Sequence, residues 1–183
     1  WLYGLLKRKI TMVSSNKLRQ EIIAFRKKLD DLNGKALYWD HTPVLNFKDK
    51  EKYPMDFQIF MEEIGEVEAG SGLFKGEGFL ILHLETPVWL PSKEAQEFIY
   101  LYEFVETEIL EVRQLSGPST EISAASINAV ASDVDSNFYG FDTTTNPYSF
   151  ISYPGGLWRG YDSFFEWIQH HIIENYDIDD LEE

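Results

Sequence analysis

An α+β domain is what the sequence predicts, with two N-terminal helices, a mostly antiparallel sheet, and a C-terminal helix packed on that sheet. Three observations carry this expectation. Apolar residues recur at helical spacing in Leu18, Ile22, Phe25, Leu29 and Leu32, and again in Phe57, Phe60, Met61 and Ile64. From Phe79 to Leu84, and again across INAVASDVDSNFYGFDTTTNPYSFISY, the pattern becomes alternating or continuously apolar between turn residues. SFFEWIQHHIIENY then returns to helical spacing, burying Phe164 or Phe165, Trp167 or Ile168, and Ile172.

In chain order, SSNKLRQEIIAFRKKLDDLNG offers a serine cap, an apolar stripe and an Asn-Gly stop, which is an amphipathic helix. ALYWDHTPVLNFKDKEK is expected to be a loop with a few buried anchors. YPMDFQIFMEEIGEVEAG gives the second helix, with Pro54 near its first turn and Gly65 ending it. GSGLFKGEGFLILHLETPVWLP contains a strand near the sheet centre. SKEAQEFIYLYEFVETEILEV carries a helical stripe at Phe98, Tyr102, Val105 and Ile109, while FIYLYEF within it has strand propensity; a helix followed by structure of undecided type is expected. SGPSTEIS reads as a turn or short linker. Two or three short antiparallel strands follow, joined by polar turns such as DTTTNP. The resulting division is an N-terminal extension over 1–15, a single domain over 16–176 and an acidic tail over 177–183.

With 183 residues, 44% of them apolar and 15% aromatic, the chain has material for one sizeable core. It contains no cysteine, which removes disulfides, thiolate nucleophiles and Cys-ligated zinc or iron–sulfur clusters, and makes a reducing cytoplasm the expected location. No run of about 18 apolar residues is present, so no spanning helix is expected. WLYGLLKRKITMV places its basic residues after the apolar run, the reverse of a signal peptide, and is read as an extension, with an amphipathic membrane-touching arm as the alternative.

The net charge of -15 is unevenly distributed: residues 1–52 carry 12 Lys/Arg against 6 Asp/Glu, and residues 53–183 carry 4 against 25. Such an acidic surface repels phosphate backbones, so nucleic acid is disfavoured as a partner and a basic protein is favoured.

Motifs of chemistry are weak. DVDSN spaces Asp133, Asp135 and Asn137 as a calcium loop begins, but Phe138 stands where the loop needs Gly and Thr144 where it needs Glu. His83 and Glu85 would share one face of a strand, which is two ligands and not a site. His170 and His171 are adjacent on a helix and diverge, although His170 and Glu174 are four apart, the spacing of a surface ion pair. GSG at Gly70–Gly72 lacks the setting of a nucleophile elbow, and GLFKGEG precedes its strand instead of following it. Glu62, Glu63, Glu66 and Glu68 are too numerous to single out as an acid pair. Tyr139, Phe141, Tyr148, Phe150 and Tyr153 have the composition of a stacking platform, but their alternation fits cross-strand packing in a sheet. No catalytic residue, cofactor site or metal site is assigned.

Taken in order, YPMDFQIFMEEIG, the glycine-rich approach to FLILHLETPVWL, the INAV to ISY hairpins and SFFEWIQHHI resemble the SUKH superfamily, the Smi/Knr-type domains. Pro54, Phe57, Phe60, Met61 and Gly65 match the Pro-initiated helix, Gly140, Phe141 and Asp142 the hairpin element, and Phe164 and Trp167 the opening of the terminal helix, over roughly residues 17 to 175. Tyr53-Pro54 replaces the usual Leu-Pro, and IGEVEAG replaces the common Asn-Gly. The resemblance implies a non-catalytic α+β domain, in many cases a bacterial immunity protein that neutralises a toxin by occlusion. The acidic composition adds that this toxin could be a basic, nuclease-like domain. Expected partner contacts are Glu66 and Glu68 beyond the second helix, and Asp133, Asp135, Asp142 and Trp158 on or after the hairpins. The alternatives are a regulatory or structural interaction domain without a toxin partner, and a small-ligand module or hydrolase.

Overall fold

The structure, a computed structural model, describes residues 2–35, 37–70, 78–82, 84, 109–113, 118–123, 126–133, 138–153, 158–161 and 163–176. Helix α1 (Leu2–Leu32) is followed by β1 (Tyr38–Thr42), a 3-10 turn (Lys50–Lys52), α2 (Met55–Glu63), β2 (Glu66–Gly70) and β3 (Gly78–Leu82). After these come β4 (Ile109–Arg113), β5 (Thr120–Ser123), β6 (Ile127–Asp133), β7 (Phe138–Asp142), β8 (Ser149–Tyr153), β9 (Trp158–Tyr161) and α3 (Phe164–Tyr176). The nine described strands form one sheet in the order β1-β2-β3-β6-β7-β8-β9-β4-β5. All neighbours are antiparallel except β4 and β9, which run parallel with Val112 opposite Trp158. This is the α+β arrangement predicted, with N-terminal helices, a mostly antiparallel sheet and α3 packed against it.

The apolar stripe of α1 is buried at Ile22, Phe25 and Leu29, with Leu18 and Leu32 partly buried beside them. The serines expected to cap this helix lie inside it instead. Nothing between residues 5 and 33 is Gly or Pro, and a mid-helix serine costs only a few tenths of a kcal/mol, so the helix continues through Ser14 and Ser15. Helix α2 buries Phe57, Ile59, Phe60 and Met61. It stops where predicted: the N–H groups of Ile64 and Gly65 both donate to the Phe60 carbonyl at 2.8 and 3.0 Å, and Gly65 turns with φ +88°.

Helices α2 and α3 are tied at their N-termini by Asp56. Its Oδ2 accepts from the Ser163 hydroxyl at 2.9 Å and from the Phe165 N–H at 3.0 Å, while the Ser163 hydroxyl itself accepts from the Glu166 N–H at 3.2 Å. One carboxylate in α2 thus satisfies an otherwise unpaired donor of α3. Phe164, Phe165, Trp167, Ile168 and Ile172 of α3 are all buried.

The core between helices and sheet is aromatic. Tyr53 stacks on Phe57 at 5.0 Å, Phe57 meets Phe141 at 4.7 Å and Phe164 at 4.8 Å, and Phe150 meets Trp167 at 4.8 Å. Such pairs add about 0.5–1.5 kcal/mol each beyond the area they bury. Tyr139, Phe141 and Phe150 are therefore scaffold, as their alternation predicted, with Tyr148 partly buried at the edge of the cluster. Tyr153 is in β8, and its side chain lies outside the described residues. Gly140 sits where a Cβ would come within 2.6 Å of the Asn128 carbonyl, beside the register shift between Ala129 and Ala131 that fits β6 against β7.

Five strands depart from the expected elements. YWDHT, expected within a loop, is β1; EVEAG, expected after a helix, is β2; ILEVR, of undecided type, is β4; TEIS, expected as turn or linker, is β5; and WRGY is β9. Each is four or five residues long, too short for its own periodicity to outweigh its polar content, and each is made a strand by partners remote in sequence. The predicted helix over most of SKEAQEFIYLYEFVETEILEV, and the tail over 177–183, lie outside the described residues.

Candidate functional site

The expected partner contacts do not converge. Glu66 and Glu68 are half-buried on β2, where Glu66 accepts the Leu84 N–H at 3.3 Å. Trp158 is on β9, five strand spacings away in the sheet order, which at about 4.8 Å each is about 24 Å. Asp133 ends β6 opposite Leu80, and Asp135 lies outside the described residues. Asp142 is 5% exposed and belongs to the turn itself: its Oδ1 accepts from the Thr144 N–H at 2.9 Å and from the Thr144 hydroxyl at 2.7 Å. An aspartate that closes its own turn in this way shapes the surface and does not present its charge to it.

The histidines that are described have structural surroundings. His41 lies between Asp30, 3.1 Å from Nε2, and the Ile64 carbonyl, 3.3 Å from Nδ1, and Asp30 also accepts from the Trp39 indole at 3.0 Å. His171 stacks on Trp167 at 5.2 Å and meets Tyr139 edge-on, whereas the adjacent His170 is exposed. His83 and Glu85 lie outside the described residues, as do Ser71 and Gly72. Among the described residues no three His, Cys, Asp or Glu side chains are placed to hold a metal, and no helix is long and apolar enough to cross a membrane.

Charge is organised by α1 and α2. Arg19 bonds both Glu62 and Glu63, Arg26 donates to the Glu63 carbonyl at 2.7 Å, and Lys50 donates to Glu62 at 2.8 Å. Lys50, and then Arg19, hold the Glu62 carboxyl below the usual carboxylate range, while Glu62 first and Glu63 second raise Arg19. These three cations are turned inward, onto the protein's own carboxylates.

The sheet presents the opposite situation. Glu111 and Glu121 stand directly opposite each other on β4 and β5, both exposed, and neither forms an ion pair among the described residues. Directly opposed like charges repel, an arrangement that destabilises the pair unless something else neutralises it. Arg113, on the same face two positions along β4, is exposed and bridges neither carboxylate.

Beside Glu121 a groove of about 660 Å³ opens at the end of the sheet where β4, β7 and β9 finish and β5 and β8 begin. Pro54, Pro147, Tyr148 and Tyr161 form its accessible apolar part, the turn after Asp142 forms a wall, and Val112, Ile122 and Ile151, on the other face of the sheet from Glu121 and Tyr161, are buried behind it. Glu121 and Asp142 are the charged side chains of its described lining, and Asp142 is occupied in the turn. Sequence reasoning missed Glu111, Glu121 and Tyr161. The signal available was the alternation in TEIS, where Ile122 is buried between exposed neighbours.

Comparison of the chain with protein-family models, with curated proteins and with solved structures finds no match.

Proposed function

We propose that the chain is a non-catalytic protein-binding domain, an immunity protein that neutralises a basic, nuclease-like toxin domain in the cytoplasm by covering it. The observation that carries this reading is the segregation of charge. Arg19, Arg26 and Lys50 are engaged with Glu62 and Glu63, whereas the sheet carries Glu111 and Glu121 exposed and without a cation among the described residues, in a segment with 25 acidic against 4 basic residues. A surface of this kind speeds encounter with a basic partner and competes for the groove in which that partner would hold phosphates. The resemblance to SUKH domains points the same way.

The test is affinity capture from the source cytosol at low and at high salt, followed by assay of the captured polypeptide alone and in the complex. A stoichiometric basic protein, weakened by salt and inactive while bound, is the expected result. Recovery of no protein under either condition, or of a partner whose activity is unchanged in the complex, overturns the immunity reading.

A further inference from the structure

We infer that the groove between Tyr148, Tyr161 and β5 receives an arginine or lysine side chain of the protein partner, with its cationic end against Glu121; this rests on the reading of the chain as a partner-binding domain. The groove's volume, about 660 Å³, lies in the range that encloses a side chain or small ligand, and its mixed lining has what a long cationic side chain needs. Pro54, Pro147 and the edges of the Tyr148 and Tyr161 rings accommodate the aliphatic stem, and the same rings attract a cation. Glu121 supplies the charge, reinforced by Glu111 opposite it.

The electrostatics select the sign of the ligand. No Lys, Arg or His belongs to the described lining, so an anion would enter against Glu121 with no cation there to offset the repulsion. A neutral ligand could use the rings but would gain nothing from the two carboxylates. A cation is attracted by both, because Glu111 and Glu121 share one face of the β4–β5 pair. Asp142 is 5% exposed and held within its own turn, which leaves Glu121 as the exposed carboxylate of the described lining. A second copy of the chain would enter through one of its own Lys or Arg side chains, most of which lie in its N-terminal part, and that occupant would be revealed by dimer formation.

The experiment titrates the full ¹⁵N-labelled chain with the blocked tripeptide Ac-Ser-Arg-Ser-NH2 and with its citrulline counterpart, which keeps the shape and loses the charge. Saturable shifts of the Glu121, Thr145, Tyr148 and Gly160 amides by the arginine peptide are expected, with binding at least about fivefold weaker for citrulline. Glu121→Gln is expected to weaken the arginine peptide about three- to fivefold and to leave citrulline unchanged, and Glu121→Lys to abolish binding. Equal binding of the two peptides, shifts confined to α1, or a dimer that forms without peptide and protects these same amides overturns the inference. Failure here is distinct from failure of the immunity reading. A captured basic partner whose affinity ignores both Glu121 variants removes the groove and keeps the function, whereas arginine-selective binding without any captured partner removes the toxin and keeps the groove.

Discussion

Replacing Gly65 by alanine tests whether the junction between α2 and β2 is as tight as the geometry makes it. A Cβ at this position would lie 1.8 Å from the Thr42 carbonyl oxygen and 2.5 Å from Pro43 Cα, where real contacts stay beyond 3.0 Å. Thr42 cannot retreat freely, because it pairs with Glu66, the residue next to the substitution. The alanine must therefore either displace β1 or unwind the end of α2. Adding a side chain at φ +88° costs about 1–2 kcal/mol, and forcing a packed neighbour aside about 1–3 kcal/mol more, which gives about 2–5 kcal/mol in total. For a chain of this length that corresponds to a fall in Tm of about 10 °C. Gly34→Ala is the control, since Gly34 also has positive φ, +74°, but nothing lies within 4 Å of its Cβ direction; only the strain of about 1–2 kcal/mol remains. Urea unfolding followed by the fluorescence of buried Trp39 and Trp167 measures both. Gly65→Ala within about 1 kcal/mol of Gly34→Ala would refute the steric reasoning.

Asp56→Ala is expected to cost about 2 kcal/mol by urea unfolding, since it leaves the Phe165 N–H and the Ser163 hydroxyl without their shared acceptor, and Ser163→Ala should still cost about 1 kcal/mol once Asp56 is gone, because the Ser163 hydroxyl also accepts the Glu166 N–H. Glu62 predicts an acid sensitivity: its folded pKa is lowered, chiefly by Lys50, so its contribution is present above the ordinary carboxylate range and is lost as pH falls through the lowered folded value. Being partly exposed, the network contributes about 1 kcal/mol; Glu62→Gln should lower stability by about that much at neutral pH and flatten the acid limb of a stability–pH profile.

The elements legible in the sequence are those whose evidence is local. Ile22, Phe25 and Leu29 repeat on one face of α1, Phe57, Phe60 and Met61 on one face of α2, and Phe164, Ile168 and Ile172 on one face of α3, so burial follows from spacing alone. EVEAG shows the opposite case. Val67 and Ala69 are buried and alternate with two glutamates, but two apolar residues after a helix do not distinguish a strand from a helical tail. What decides the matter is the register Val67 opposite Leu82 and His41 opposite Val67, set by segments remote in the chain. The parallel pairing of Val112 with Trp158 is still less visible, since nothing near either residue encodes it. The groove inherits this opacity. Glu121 and Tyr161 line the same space because β4 and β9 are neighbours, and no local pattern says that they are.

Asp142 separates two roles that the sequence leaves merged. As a contact for a basic partner it would act through its charge; as the residue that closes its turn it acts through an acceptor oxygen aimed at Thr144. Asparagine keeps that oxygen and removes the charge, whereas alanine removes both. The structure therefore predicts that Asp142→Asn leaves stability within about 0.5 kcal/mol of the parent, while Asp142→Ala loses about 1–2 kcal/mol by taking the acceptor away from both Thr144 donors. It further predicts that Asp142→Asn keeps partner or arginine-peptide binding and that Asp142→Ala weakens it, because the wall of the groove is the turn that Asp142 holds. Unfolding in urea and a binding titration on the same two variants separate the roles. Loss of binding in Asp142→Asn at unchanged stability would return Asp142 to the surface as a charged contact. Retention in Asp142→Asn with loss in Asp142→Ala fixes it as the residue that shapes the site without touching what enters it.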